Sequence, residues 1–391
     1  MLARMKAITN KFKIWWDKLM SDRASRLLFN TILLAALGTA VCFAFYNQTH
    51  VFDDFSISET VQEDDIDGTR YEMLGDYVIK YSPDGVFCVD TMNNTIWSSA
   101  YSMQTPICDV CGDNMVIAEE HGMQVYVLNS KGVVGNFATT LPIEDARISE
   151  NQVVLLKLQD SEATWLNMYD TSGTELASIK TTVPNSGYPI SEALSSDARK
   201  VLVAYSGEKD GQLRGQLILY DFSSVSASEE EHIAGSREYP HEVFPYVYFG
   251  ANDTPIAVGS SEMIVFKRGS ALEEKTSVGF DREIVSVFND DKNCGFIFRS
   301  DLENEKYHME VYNNSGSRVM DTDFNFNYTG TRMDNGEILV YDEKNLYSYR
   351  TSGRQKLNTA YNKEVVYFAK MSGFHKYLVI TADSMDQIKV K

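Results

Sequence analysis

The sequence predicts an all-β fold, an eight-bladed β-propeller of four-stranded antiparallel blades, with seven blades as the alternative. One transmembrane helix and a short amphipathic N-terminal helix are expected to precede it. Three observations support this prediction. A single uncharged stretch is long enough to cross a bilayer, a pattern of short strands recurs about every 40 residues, and no long amphipathic helix pattern follows residue 47.

The predicted membrane span is the stretch 27–46, which reads LLFNTILLAALGTAVCFAFY and contains no charged residue. Twenty residues of α-helix rise about 30 Å, which matches the hydrocarbon core of a bilayer. A cleaved signal peptide is the alternative, but its apolar core usually has only about 7–15 residues. An uncleaved single-pass anchor is therefore the favoured interpretation.

The charge distribution predicts the orientation of this span. Residues 1–46 contain seven Lys/Arg and two acids, whereas the remainder contains 29 Lys/Arg and 53 acids, a net charge of −24. Basic residues beside a span stay in the cytoplasm, so we expect a cell-membrane protein with a cytoplasmic N-terminus and an extracytoplasmic C-terminal domain. So acidic a domain is not expected to bind nucleic acid or an anionic lipid surface.

The residues that flank the span have separate expected roles. Residues 6–20 read KAITNKFKIWWDKLM and place apolar side chains at helical spacing, which predicts an interfacial helix or, alternatively, a docking helix for a cytoplasmic partner. Residues 47–68 form an acidic linker. Their acids do not follow the EF-hand pattern, so calcium binding is not predicted.

A repeated pattern defines the rest of the chain. An apolar run is followed by a second run that ends in Asp or Asn, a short turn that often contains Gly, and a further strand, as in WLNMYDTSGTELASI (165–179). The expected domains are a basic tail (1–26), the span (27–46), the linker (47–68) and the propeller (69–391). The predicted units are 69–101, 105–140, 143–183, 189–236, 240–279, 282–324, 327–359 and 362–391.

The last unit is one strand short of four, because its third strand ends near Lys391. An unpaired strand edge would invite association with other chains. Residues 51–58 in the linker alternate apolar and polar side chains, so we predict that they supply the fourth strand. The ring would then close by pairing the two ends of the chain, close to the membrane.

Two motifs resemble known propeller repeats. GVFCVDTMNNTIW (85–97) resembles the quinoprotein-type repeat, and it keeps Asp90 and Trp97 but has Asn94 where the turn Gly is expected. Ser82-Pro-Asp-Gly85 is similar to the strand opener of WD-repeat-like (WD40/YVTN-like) propellers. The full layout resembles an uncharacterised, single-pass, membrane-anchored propeller family of Gram-positive anaerobes. That resemblance implies a propeller fold and no established activity.

No pattern of catalytic, cofactor-binding or metal-ligating residues emerges from the sequence. It contains no H-E-x-x-H, G-x-S-x-G, P-loop or G-x-G-x-x-G motif. Cys108 and Cys111 form a lone C-x-x-C in a strand-like run, where they would face opposite sides, so structural burial is predicted. Catalytic residues, cofactors and metals are all predicted to be absent, and Asp290-Asp291-Lys292-Asn293 is interpreted as a turn.

One aromatic segment is a candidate binding rim. Residues 239–248, YPHEVFPYVY, are rich in aromatic side chains and proline and are expected to form a loop and a first strand near one propeller face. The candidate binding residues are Tyr239, His241, Phe244 and Tyr246. The alternative is ordinary strand packing with proline turns.

The function predicted from the sequence is a membrane-anchored scaffold that binds a protein partner of the cell envelope, without catalysis. Function in propellers resides in loops and channel rather than in the fold, and the ligand is not indicated. The alternatives are a sensor that relays ligand binding to the cytoplasmic tail and an enzyme with a site in the channel.

Overall fold

The computed structural model describes residues 23–62, 68–183, 187–209, 211–223, 232–269, 271–334 and 336–391. The predicted amphipathic helix at 6–20 and the acids at 63–67 lie outside these ranges. The chain divides into two compact units, residues 1–51 and 52–391.

The first unit contains helix α1 (Arg23–Thr49). Its residues Arg23–Phe43 have a mean hydropathy of 1.7 and are long and apolar enough to cross a membrane. Large apolar side chains such as Leu34 and Phe43 are exposed along it. A membrane anchor and a signal sequence share these properties.

The second unit is an eight-bladed propeller, as predicted. The described residues form eight four-stranded antiparallel sheets, and seven of these are built from four consecutive strands. We number the blades in chain order. Blades 1 to 4 contain β2 (Arg70–Leu74), β3 (Tyr77–Ser82), β4 (Gly85–Val89), β5 (Thr95–Ala100), β6 (Pro106–Cys111), β7 (Asn114–Glu119), β8 (Gln124–Asn129), β9 (Gly132–Ala138), β10 (Ile143–Ile148), β11 (Val154–Gln159), β12 (Thr164–Tyr169), β13 (Glu175–Thr181), β14 (Tyr188–Leu194), β15 (Lys200–Lys209), β16 (Gln212–Asp221) and β17 (Ile233–Pro240).

Blades 5 to 8 complete the ring, and blade 8 takes its outer strand from the start of the unit. The strands are β18 (Tyr246–Gly250), β19 (Thr254–Val258), β20 (Glu262–Phe266), β21 (Glu274–Gly279), β22 (Ile284–Asn289), β23 (Asn293–Arg299), β24 (Tyr307–Asn313), β25 (Arg318–Phe324), β26 (Gly330–Asp334), β27 (Glu337–Tyr341), β28 (Asn345–Arg350), β29 (Gln355–Ala360), β30 (Val365–Lys370), β31 (Lys376–Thr381), β32 (Ser384–Val390) and β1 (Phe55–Gln62).

The predicted closing strand is confirmed, but its bounds are later than predicted. Strand β1 pairs antiparallel with β32 from Phe55↔Val390 to Gln62↔Ser384. The predicted segment 51–58 begins too early because helix α1 continues to Thr49 and Phe52 makes a separate parallel bridge to Leu357. Pairing β1 with β32 gives blade 8 its fourth strand.

The second strand of each blade is buried on both faces. In β11, Leu156 and Leu158 pack into the core shared with blade 2, whereas Leu155 packs into the core shared with blade 4. A strand enclosed in this way loses the alternation of apolar and polar residues. This burial explains the continuous apolar runs, such as VVLLKL at 153–158, that mark each unit.

The recurring Asp or Asn caps the turn between the third and fourth strands. Asp170 Oδ1 accepts hydrogen bonds from the backbone N–H groups of Ser172 and Thr174 at 2.8 and 2.9 Å. Asp90 and Asn313 hold their turns in the same way. These side chains satisfy backbone donors that the ladder leaves free, which is why the pattern recurs.

Candidate functional site

The first strands of the blades surround a central channel. Neighbouring first strands pack against one another, as β6 does with β10 and β14 does with β18. Each first strand ends at a turn to the second strand. The turns between third and fourth strands lie on the same face of the ring as these turns, and we call this face the bottom face. The top face is the opposite one.

A cavity of about 620 Å³ opens at the bottom face and is bordered by blades 2 to 6. Its wall is built from the ends of first strands, with Asp109, Arg147 and Tyr246 among them. Its mouth is formed by first-to-second turns that carry three acids: Glu150, Asp253 and Asp291. This cavity, the bottom cavity, is therefore acidic at its opening.

Asp109 and Arg147 place charge on the wall of the bottom cavity. Asp109 Oδ2 accepts the backbone N–H of Ile148 at 2.8 Å, and burial raises the pKa of Asp109 to about 6 although Arg147 is nearby. Arg147 donates to both carboxylate oxygens of Asp145, at 2.7 and 2.6 Å, and to the carbonyl of Glu192 at 3.2 Å. The guanidinium is thus held in place by blades 3 and 4.

Glu192 lies behind this wall in β14 and is only 1 % exposed. Its Oε2 is 3.4 Å from Nζ of Lys157. Burial raises the pKa of Glu192 to about 7, because the attraction of Lys157 offsets only part of the lost solvation. Burial thus raises the pKa of two carboxyl groups in this region, Glu192 and Asp109, towards neutrality.

We expect the ring to be more stable at pH 5 than at pH 8. Carboxyl groups whose pKa is raised by folding stabilise the fold fully below their unfolded values, about 4, and this contribution disappears as the pH rises through 6–7. For Glu192 the change is on the order of 2 kcal/mol. Urea unfolding of the full chain in detergent between pH 5 and 8 measures it.

The matched variants for this measurement are Glu192→Gln and Glu343→Gln. Glu343 is exposed on the top face, in the turn between β27 and β28. The Glu192 variant should flatten the pH dependence of the unfolding midpoint. Its midpoint is expected to be lower at every pH, because Lys157 loses its partner. An equally steep profile in both variants would contradict the assignment.

A second cavity of about 530 Å³ is bordered by blades 1, 6, 7 and 8, and Asn289 lines both cavities. Arg332 is its central charge. Its Nε lies 2.9 Å from Asp334 Oδ1, its Nη2 lies 3.7 Å from Glu72, and its Nη1 donates to the Tyr367 hydroxyl. Burial raises the pKa of Glu72 despite this guanidinium. The described lining residues of both cavities include no histidine.

The four sequence-predicted binding residues are divided among different environments. Tyr239 and Phe244 pack together with ring centroids 4.9 Å apart, and Phe244 is fully buried. His241 is exposed in the connecting loop at φ 65°. Tyr246 lines the bottom cavity and donates a 2.5 Å hydrogen bond to Asn289 Oδ1.

The segment that carries these residues also differs from its expected position in the fold. Tyr239 belongs to β17, the outer strand of blade 4, because that strand continues to Pro240 opposite the long β15–β16 hairpin. The predicted unit boundaries at 236 and 240 therefore cut through one strand. Only Tyr246 lies on the first strand of blade 5.

The charged residues of the channel were not found from the sequence. Asp109 lies between Cys108 and Cys111, in a segment whose C-x-x-C pattern is its most conspicuous feature. The cysteines themselves are free and pack on opposite faces of β6, as predicted. The available signal was the presence of charged side chains within a first strand, as in IEDARI (143–148) and YPISEAL (188–194). The predicted turn at 290–293 is confirmed, because Asp290 Oδ1 accepts from the N–H groups of Lys292 and Asn293.

One cluster in blade 6 has the residue types of a metal site. Ligand atoms of His308, Glu310 and Asp321 all lie within 4.8 Å of one another. However, Arg318 Nη1 lies 2.8 Å from both Glu310 and Asp321, so a guanidinium already occupies the position between the carboxylates. Asp323 accepts from the other side of His308 at 2.9 Å. The cluster is an ion-pair network across β24 and β25.

Comparisons with known proteins identify the fold and a family. The crystal structure of BamB from Moraxella catarrhalis matches 86 % of this chain and 98 % of its own, at 13 % identity and a TM-score of 0.52. Sqt1 from Saccharomyces cerevisiae matches 88 % of this chain and 99 % of its own, at 10 % identity and a TM-score of 0.53. No curated protein matches. A family model matches residues 48–390, nearly the whole propeller, and the chain therefore belongs to that family, the family of unknown function DUF5711.

Proposed function

We propose that this protein is a membrane-tethered propeller that holds a protein partner in the cell envelope, with its N-terminus in the cytoplasm and its ring outside the membrane. The observation that carries the proposal is the bottom cavity. A volume of about 620 Å³ is large enough for several side chains of an inserted segment, and five blades contribute to its wall.

The charge of the mouth indicates the chemistry of the partner. Glu150 and Asp291 are exposed at the opening, and Asp253 is held beside them by hydrogen bonds to Ser196. A loop or terminus that carries Lys or Arg would be attracted to this mouth and oriented by it. Tyr246 deeper in the wall offers an aromatic surface to such a segment.

The tether rests on the composition of α1 and on the charges around it. The helix is long and apolar enough to cross a membrane, and seven Lys/Arg lie in the first 46 residues. Positive charges before a span favour retention of that side in the cytoplasm. The ring, which begins at Phe52, would then lie on the other side.

The experiment is site-specific photo-crosslinking in membranes of the native host. A photoreactive phenylalanine at Asn252, an exposed residue at the cavity mouth, should form an adduct of one defined mass. The double variant Glu150→Gln/Asp291→Asn should reduce the adduct yield about tenfold, because it removes the attraction for a basic segment.

The matched control removes two acids from the top face. Asp84 and Glu343 are exposed in second-to-third turns, and Asp84→Asn/Glu343→Gln should leave the adduct yield unchanged. If the control lowers the yield as much as the double variant, or if the double variant has no effect, the bottom cavity does not bind the partner.

A further inference from the structure

The bottom face has one region whose charge is opposite to that of the ring as a whole. We call residues 350–356, 370–376 and 389–391 the basic patch. They form the third-to-fourth turn of blade 7, the first-to-second turn of blade 8 and the end of β32 with Lys391. Together they contain seven Lys/Arg and no Asp or Glu, and four of the cations are exposed: Arg354, Lys376, Lys389 and Lys391. The Nζ of Lys391 lies 3.3 Å from Asp54 Oδ2, so the charge of the patch rests on Arg354, Lys376 and Lys389.

The rest of the same face is acidic. The corresponding first-to-second turns of blades 1 to 6 carry a carboxylate at or next to the turn, and these residues are Asp76, Asp113, Glu150, Asp197, Asp253 and Asp291. Asp76 lies at the border of the basic patch, where it accepts a hydrogen bond from Ser372. The bottom face is therefore polarised, with negative charge around the channel mouth and positive charge on blades 7 and 8. The net charge of the whole propeller does not reveal this separation of charge.

The basic patch contains an exposed phenylalanine. Phe374 is 70 % exposed, the highest value among the large apolar side chains of the described ring. The turn that presents it is held from one side by Lys370, whose Nζ donates to the carbonyls of Gly373 at 3.2 Å and Lys376 at 3.1 Å. Phe374 is thus fixed in an outward position rather than folded into the core.

The ring unit begins beside the same patch. The centroid of the Phe52 phenyl group lies 4.6 Å from that of the His375 imidazole. The backbone N–H of Phe52 donates to the carbonyl of Lys356 at 2.8 Å. Along the chain, only His50 and Val51 separate Phe52 from the last residue of α1. The first residue that belongs to the ring is consequently anchored between two segments of the basic patch.

We propose that the basic patch docks on an anionic phospholipid surface, with Phe374 inserted at the level of the headgroups. Cations near a membrane surface gain attraction within a Debye length, about 8 Å at physiological salt. An aromatic side chain beside lysines is the usual composition of an interfacial contact. This proposal rests on the proposed function in one respect, since α1 must first bring the ring to a membrane.

Docking would also give the two oppositely charged parts of the bottom face different roles. Blades 7 and 8 would contact lipid, and the acidic mouth on blades 2 to 6 would be repelled by the same anionic surface. The ring would then lie tilted, with the bottom cavity held open to a partner on the membrane side. The overall acidity of the ring thus orients the contact instead of preventing it.

The test uses the full chain in nanodiscs, with hydrogen–deuterium exchange of residues 370–376 as the readout. In discs that contain phosphatidylglycerol, amide exchange in this turn should be about tenfold slower than in discs of phosphatidylcholine alone, and high salt should remove the difference. The variant Arg354→Gln/Lys376→Gln/Lys389→Gln should lose it too. Unchanged exchange at Val116 and Ile117, in the core of blade 2, would show that the variant is folded.

The control variant neutralises three exposed lysines outside the patch. Lys131 and Lys292 lie in bottom-face turns of blades 2 and 6, and Lys344 lies in a top-face turn. Lys131→Gln/Lys292→Gln/Lys344→Gln should keep the lipid-dependent slowing. Equal exchange in both lipids, or equal loss in both variants, would overturn the docking proposal alone. A chain that does not enter nanodiscs at all would instead overturn the membrane tether.

Discussion

Replacement of Phe52 by alanine is expected to lower the free energy of unfolding by about 3–5 kcal/mol. Phe52 is 3 % exposed, and it fills the core between blades 7 and 8 together with Leu357, Tyr361 and Val390. Its backbone also donates to Lys356 and accepts from Asn358 at 2.9 Å. Truncation would leave a cavity at the point where β1 is held in the ring. Urea unfolding in detergent, with amide exchange of β32, measures the loss.

The matched control is Phe374→Ala. It removes the same side chain from the same face of the ring, but from a site that is 70 % exposed. Its effect on unfolding in detergent should stay within about 0.5 kcal/mol. Exchange of β32 should be faster only in the Phe52 variant, since that variant alone loosens the closing strand. Similar losses in the two variants would refute the role of Phe52 in closure.

Replacement of Glu337 by glutamine is expected to cost about 3–5 kcal/mol. Glu337 is buried, and its Oε2 lies 2.6 Å from Nζ of Lys356. Ser348 donates to its Oε1 at 2.5 Å, and the Tyr377 hydroxyl also donates to it. Lys370 and Arg350 lie nearby, and burial lowers the pKa of each. Without the carboxylate, the buried ammonium of Lys356 would lose its ion-pair partner beside these two cations.

A double-mutant cycle separates the lost ion pair from a general effect of the substitution. Lys356→Met removes the partner cation while keeping most of the side-chain volume. The variant Glu337→Gln/Lys356→Met should regain much of the lost stability, because a buried pair replaced as a unit is close to neutral. Thermal unfolding of all four proteins gives the coupling energy. Additive losses would contradict the assigned pair.

Much of the fold could be predicted from the chain because each blade repeats the same local chemistry. The Asp170 turn and its counterparts reveal the boundary between third and fourth strands, since only a short polar side chain can satisfy those backbone donors. Likewise the continuous apolar run of β11 marks a strand enclosed on both faces. The eight repeat units predicted the number of blades. The missing fourth strand of the last unit predicted that the two ends of the chain pair to close the ring.

The predicted bounds of strands were wrong where tertiary contacts determine where a strand begins or ends. Nothing local shows that Phe52 bridges to Leu357 before β1 begins, because this contact joins distant parts of the chain. The same holds for Pro240, which is a strand residue only because Arg214 lies opposite to it. Pairing partners far along the chain are not encoded in a short window of sequence.

Most residues of the candidate site could not be predicted from the sequence, for a related reason. Asp109, Arg147 and Tyr246 come from three different blades and meet only around the channel. Their individual segments look like ordinary strands that include polar residues. The aromatic segment at 239–248 was visible by composition, yet only Tyr246 of its four candidate residues lines the bottom cavity. Composition alone could not distinguish a residue in the core from one in the channel wall.

Closure by β1 and β32 also has a consequence for how the protein folds. The hydrogen bond from Ser56 to Lys389 joins residues 333 positions apart, whereas pairs within the other blades are local. The ring therefore cannot close until β32 has been synthesised. Contacts of such long separation form slowly, so joining β1 to β32 is expected to be the final and slowest step of folding.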